Sequence, residues 1–184
     1  MATAMLTEQE RQIAIDNLMK TRQTVMDAVA GVSENQARWT PAPGRWSILG
    51  YLEHLAVSDD ALVALVKKSL QTPAEPETAA ERAAREAKLK DTHAPRGANQ
   101  APDRLQPTGR FPTVREALDA FLAARERTLE YTRTTQDDLR SHFTPHPVYG
   151  KMDAYQWLSG NARHAHSHCE HIKEIREMPG FPAD

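Results

Sequence analysis

The sequence predicts an all-α protein: a four-helix bundle with a long crossover connection between the second and third long helices. Three observations carry that expectation. Apolar residues recur at helical spacing through four long stretches. Capping residues open the stretches, and glycine or proline closes them. Nowhere does the chain show the apolar–polar alternation of a half-buried strand. At 184 residues it is expected to fold as a single domain over 1–184, with enough surface to bury for a proper core.

The first helix is predicted over about 7–29. Thr7 and Glu10 have the spacing of a capping box, Ile13, Ala14, Leu18, Val25, Met26 and Val29 form the stripe, and Gly31 ends it. After a connection with two prolines and a glycine, Ser47 can cap a second helix running to about 70. There Ile48, Leu52, Leu55, Asp59, Leu62 and Val66 share one meridian, and Tyr51, Ser58 and Leu65 form a second stripe beside His54. A helix apolar over so much of its circumference is packed on more than one side. From 71 to 112, prolines at 73, 76, 95, 102, 107 and 112 bracket the charged run ETAAERAAREAKLKD, read as a short exposed helix with a solvated face between irregular loops. Long irregular segments in compact domains are commonly mobile or part of a site. A third long helix starts near Thr113, with Glu116 in capping-box position and Ala117, Phe121, Ala124, Leu129 and Tyr131 among its apolar residues. The last runs over about 153–178, stopped by Pro179.

Composition excludes several function classes. The 23 basic and 25 acidic side chains leave a net charge of −2, so nucleic-acid binding has no electrostatic support. No apolar run is long enough for a membrane span and no leader pattern opens the chain, so a cytoplasmic protein is expected. The single cysteine, Cys169, rules out an intramolecular disulfide framework and fits a reducing compartment.

Chemistry concentrates in GNARHAHSHCEHIKEIRE. His164, His168 and His171 fall at i, i+4 and i+7 on one helical face, and His166 points elsewhere. Two imidazoles one turn apart can reach one first-row metal ion, so His164 and His168 make half a site. The third ligand must come from another helix. His54 is the candidate, being the only histidine in the other strongly apolar helical stretch. Each residue also has a structural reading: a lone histidine beside an apolar stripe is often a hydrogen-bonded core residue. His142 and His146 read as loop caps, Trp39, Trp46 and Trp157 as anchors of helix ends, and Cys169 as a buried inert thiol on the Ala165/Ile172 side.

The run GVSENQARWTPAPGRWSILGYLEHLAVSD, the PTGRFPT stretch at 107–113, DLRSHFTPHPVYGKMDAYQWL and the histidine-paired last helix together resemble the DinB-like (DNA-damage-inducible) superfamily. The resemblance implies a metal-binding four-helix bundle, commonly a homodimer, with a divalent metal held by one histidine of the second helix and two of the last. Here those are His54, His164 and His168. Where many members carry glutamine shortly after the last ligand, this chain has His171, open to roles as fourth ligand, ligand support or substrate contact. Related members are bacillithiol- and mycothiol-dependent enzymes. The amino-terminal domain of ergothioneine-forming sulfoxide synthases shares an H-x-x-x-H-x-E pattern, present here as His164, His168 and Glu170.

The resemblance implies a metal-dependent enzyme of the thiol S-transferase type acting on a small molecule, with a low-molecular-weight thiol as the expected second substrate. Zinc, nickel or iron suits an all-imidazole site. Glu170 and His171 are the candidates for moving a proton. The alternatives are a metal-dependent hydrolase using the same site, or a non-catalytic stress-response protein that binds metal or a small ligand. A pocket between the 93–112 and 142–149 segments would favour an enzyme. A fourth position closed by His171 would favour a structural metal.

Overall fold

The computed structural model describes residues 5–91 and 101–183. Four long helices form the bundle: α1 (Glu8–Val29), α3 (Ile48–Ser69), α5 (Val114–Thr134) and α6 (Ala154–Arg176). Two shorter helices, α2 (Glu34–Arg38) and α4 (Ala79–Asp91), and a 3-10 turn at Asp103–Leu105 lie in the connections. Local chemistry sets the starts of the long helices. Thr7 with Glu10 and Asp153 with Gln156 form complete capping boxes, while Ser47 and Thr113 accept the amides of Gly50 and Glu116.

Both α1 and α3 pack against α5 and α6, so α1 stands diagonally across the bundle from α3, and α5 from α6. One apolar cluster joins Val25 and Val29 near the end of α1 to Ile48 and Leu52 at the start of α3, Ala117 and Phe121 at the start of α5, and Ile172 and Ile175 at the end of α6. A second, at the opposite end, joins Leu6, Val66, Leu139, Ala154 and Leu158. Neighbours α3 and α5 therefore run parallel. The chain must return the length of the bundle between them, which is the physical reason for the long crossover. The helices that carry the histidines, α3 and α6, are adjacent.

Between the two apolar ends sits a buried polar plug. Asp59 of α3 accepts from Arg125 Nε (2.9 Å) and Thr128 Oγ1 (2.6 Å) of α5, and from Asn161 Nδ2 (2.8 Å) of α6. Arg125 Nη1 also donates to Thr21 Oγ1 of α1 at 2.9 Å. All four long helices share this network, and Asp59, Arg125, Thr128 and Asn161 are each at most 1% exposed.

Two elements differ from the sequence expectation. A two-stranded antiparallel hairpin, β1 (Phe143–His146) and β2 (Gly150–Asp153), lies in what read as an irregular connection. Strands of four residues, one holding Pro145, are too short to display a period of two. The charged run of α4 is not simply a solvated face. Arg85 bonds Glu77, Gln156 and buried Asp153, and Arg140 bonds the same Asp153 together with Glu86 and Glu10. These ion pairs dock one side of α4 against the hairpin and the start of α6. Helix α2 has no periodic signature in the sequence because five residues carry too little periodicity, although Ser33 and Gln36 form its capping box.

Candidate metal centre

One turn of α6 and the middle of α3 bring three imidazoles together. His164 Nε2 lies 3.1 Å from His54 Nε2 and 3.0 Å from His168 Nε2, and one ring nitrogen of each residue falls within 4.8 Å of the others. His54 is buried, and His164 and His168 are partly buried. Nitrogens about 2.0–2.1 Å from a common ion stand roughly 3.3 Å apart in tetrahedral geometry, so the cluster has the dimensions of a ligand set.

Proton placement sharpens this. His54 Nδ1 lies 2.8 Å from the Leu105 carbonyl oxygen, which can only accept, so Nδ1 carries the proton and Nε2 turns a lone pair to the centre. Ser58 Oγ stands beside the same ring, 3.3 Å from Nε2. Burial pushes all three imidazoles toward the neutral form, His164 down to about 3 and His168 down to about 2, with the neighbouring histidines adding to the shift in both. Among neutral rings, one N–H on His164 cannot serve both neighbours well. Every other assignment sets lone pair against lone pair or proton against proton. A cation at the centre gives all three lone pairs a partner, so the residues fit a divalent metal.

Residues 17–172 match the sequence profile of the DinB superfamily. The chain belongs to the DinB superfamily. Its fold is similar to that of YfiT from Bacillus subtilis, described as a probable metal-dependent hydrolase with an unusual four-helix bundle topology. The two share 18% identity at a TM-score of 0.60, covering 96% of this chain and 91% of that one. No curated protein matches it in sequence.

Around the centre of this DinB-superfamily chain, aromatic rings form a wall. Trp46 packs on His54 (ring centroids 4.9 Å apart) and His168 (6.3 Å), and Tyr51 lies against His168 (5.3 Å) and stacks on His171 (5.7 Å). Trp46 thus covers the histidines, a role beyond anchoring a helix end. His171 stands outside the three-histidine set, its Nδ1 3.4 Å from Glu174, and among the described residues no fourth histidine, cysteine or carboxylate joins the cluster. Glu170 reaches away to Lys173 at 2.7 Å on the exposed side of α6. His166 is exposed, and Cys169 is buried, its thiol pushed up to about 11 by burial. His142 bonds the Thr72 carbonyl, and His146 Nδ1 accepts the Val148 and Tyr149 amides at the hairpin turn. Trp157 Nε1 donates to the Thr144 carbonyl.

The expected pocket between the 93–112 and 142–149 segments falls partly at 92–100, outside the described residues. A cleft of about 450 Å³ between α1 and α6 is lined by Thr24, Asp27 and Arg176 and lies apart from the histidines. Leu105, Trp46 and Tyr51 join the site, although in sequence Trp46 reads as a helix-end anchor, Tyr51 as a stripe residue beside His54, and Leu105 as part of a loop. The Trp46–Ser47 entry to α3 was the available signal for Trp46, but nothing local marks a backbone carbonyl arriving from the crossover.

The buried neutral imidazoles predict a pH effect on the metal-free protein. In the unfolded chain they titrate near 6.5, in the folded chain far lower, so between these values the unfolded state binds more protons and stability is lost as the pH is lowered. The expected loss between pH 7 and 5 is about 2 kcal/mol for each of His164 and His168. Urea unfolding across that range should show the slope flattened in His168→Ala and unchanged in His166→Ala. Equal slopes in both variants would contradict it.

Proposed function

We propose that this chain is a metal-dependent enzyme of the thiol S-transferase type, in which His54, His164 and His168 hold a divalent ion, zinc, nickel or iron, and a small molecule is the substrate. The observation that carries the reading is the convergence of three Nε2 atoms with too few protons to satisfy one another. Three neutral imidazoles leave the charge of a divalent ion undiminished. When bound, such an ion lowers the pKa of a thiol entering an open position, yielding a thiolate near neutral pH.

The chain's own residues then supply position and proton handling. The Leu105 carbonyl fixes the His54 ring, Trp46 and Tyr51 shield the centre from water, and His171, backed by Glu174, stands beyond Tyr51 where it can take up the released proton. His171 is preferred over Glu170, which is engaged with Lys173 on the exposed side. A low-molecular-weight thiol as second substrate, homodimeric assembly and a cytoplasmic location belong to the same proposal.

Hydrolysis is the second reading, because water can enter the same position and YfiT is described as a probable metal-dependent hydrolase. The test is elemental analysis of untagged protein beside His54→Ala, His164→Ala and His166→Ala, followed by thiol-conjugation and ester-hydrolysis assays with and without chelator. About one metal per chain, lost in the first two variants and kept in the third, with chelator-sensitive conjugation, is the expected result. Chelator-sensitive hydrolysis without conjugation would replace the S-transferase reading. Bound metal without either turnover would make the protein a binder, and protein that takes up no metal would sink the proposal.

A further inference from the structure

The turn that delivers the Leu105 carbonyl is seated on α3 by one buried carboxylate. Glu53 is adjacent to His54 in the chain, on the next side of the helix, and is 1% exposed. Its Oε1 accepts the Thr108 amide at 2.6 Å, and its Oε2 accepts the Gly109 and Arg110 amides at 2.9 and 3.0 Å. Three successive amides thus close on a single carboxylate, the arrangement by which turns bind anions. Arg110 completes it: Nη1 donates to Glu53 Oε1 at 2.6 Å and to the Gln106 carbonyl at 3.0 Å, and Nη2 to the Arg104 carbonyl at 3.3 Å. The guanidinium therefore ties the two ends of the 104–110 turn together over the carboxylate. Gly50, one turn earlier in α3, lets the turn come close, since a Cβ there would stand 3.4 Å from Pro107 Cγ.

We propose that Glu53 is a positioning residue for the metal centre: it holds the 104–110 turn so that the Leu105 carbonyl accepts a hydrogen bond from His54 Nδ1–H and thereby aims Nε2 at the ion. This rests on the metal-centre reading above and adds the device that prepares one of its ligands. Without the turn, His54 can rotate, or carry its proton on Nε2, and either change removes a lone pair from the cluster. Hydrogen bonds to the remote nitrogen of a ligating histidine typically change metal affinity 10–100-fold. Coupling is reciprocal, so bound metal must also hold the turn more firmly.

The full-length chain can test both directions. Glu53→Gln keeps size but turns an amide NH2 toward donors that need an acceptor. Zinc affinity, read by chelator competition, should fall about 10–100-fold. The visible spectrum of the cobalt-substituted protein should change, and the zinc-induced protection of the Thr108, Gly109 and Arg110 amides from hydrogen exchange that is expected in the wild type should vanish. Arg110→Met, at a side chain 34% exposed, is the milder variant and should weaken zinc several-fold while leaving the bundle folded. Unchanged zinc affinity and an unchanged cobalt spectrum in folded Glu53→Gln would overturn the proposal. If that variant does not fold, the same result in Arg110→Met would do so. Wild-type protein that binds no zinc or cobalt would instead refute the metal-centre reading on which it stands.

Discussion

Replacing His168 by alanine is expected to abolish stoichiometric metal binding while leaving the helical circular-dichroism signal intact. The substitution removes one of three Nε2 donors, the one that meets His164 at 3.0 Å. Losing a donor should cost more than the 10–100-fold typical of groups that merely support a ligand. The effect is also visible in stability. A ligand present at a thousand times its dissociation constant stabilises the folded state by about 4 kcal/mol, so zinc should raise the midpoint of wild-type unfolding strongly and that of His168→Ala not at all. The fold should survive because the apolar clusters at both ends of the bundle do not depend on this ring. Loss of helicity in metal-free His168→Ala would show that the imidazole is a structural member. Retention of tightly bound metal would show that the cluster is not the ligand set.

Replacing Asp59 by alanine should destabilise the protein by about 3–5 kcal/mol, a large part of the 5–15 kcal/mol available to a typical domain. The carboxylate is the common acceptor for Arg125, Thr128 and Asn161, and its removal leaves a fully buried guanidinium without its counter-charge. The cost comes from breaking the pair, not from any large net gain in forming it. A double variant, Asp59→Leu with Arg125→Met, fills the space with apolar atoms and should recover most of the loss. Urea midpoints for the single and double variants test this, and equal destabilisation in both would show that the network contributes more than charge compensation. Asp59 and Asn161 also tie α3 to α6, the two helices that bring the histidines together, so Asp59→Ala should weaken metal binding even where it remains folded.

The helices and part of the site were legible because their causes are local. A cap acts over three residues and a stripe over four, so Thr7, Ser47 and Thr113 mark starts that the structure places within a residue or two. His164 and His168 meet because one helical turn separates them, which spacing alone states. His54 was found by elimination and by family resemblance. Its approach to His164 across 110 positions of sequence depends on which helices are neighbours. The charged residues of α4 show the opposite limit. Periodicity identified the helix and composition made it look solvated, but which of its charges meets buried Asp153 depends on where the hairpin lies. Asp59 and Arg125 sit in ordinary helical sequence and meet only because α3 and α5 pack side by side.

The sequence by itself therefore determined the all-α class, the four long helices and the histidine pair of α6, since each follows from interactions within a few residues, and it marked the long crossover by its prolines, although the need for that crossover is tertiary. Tertiary structure alone decided the diagonal order of the helices, the polar plug through the core, the aromatic cover and the carbonyl behind His54. These depend on contacts between segments distant in the chain, and such contacts arise from how whole helical faces pack, which no local pattern encodes.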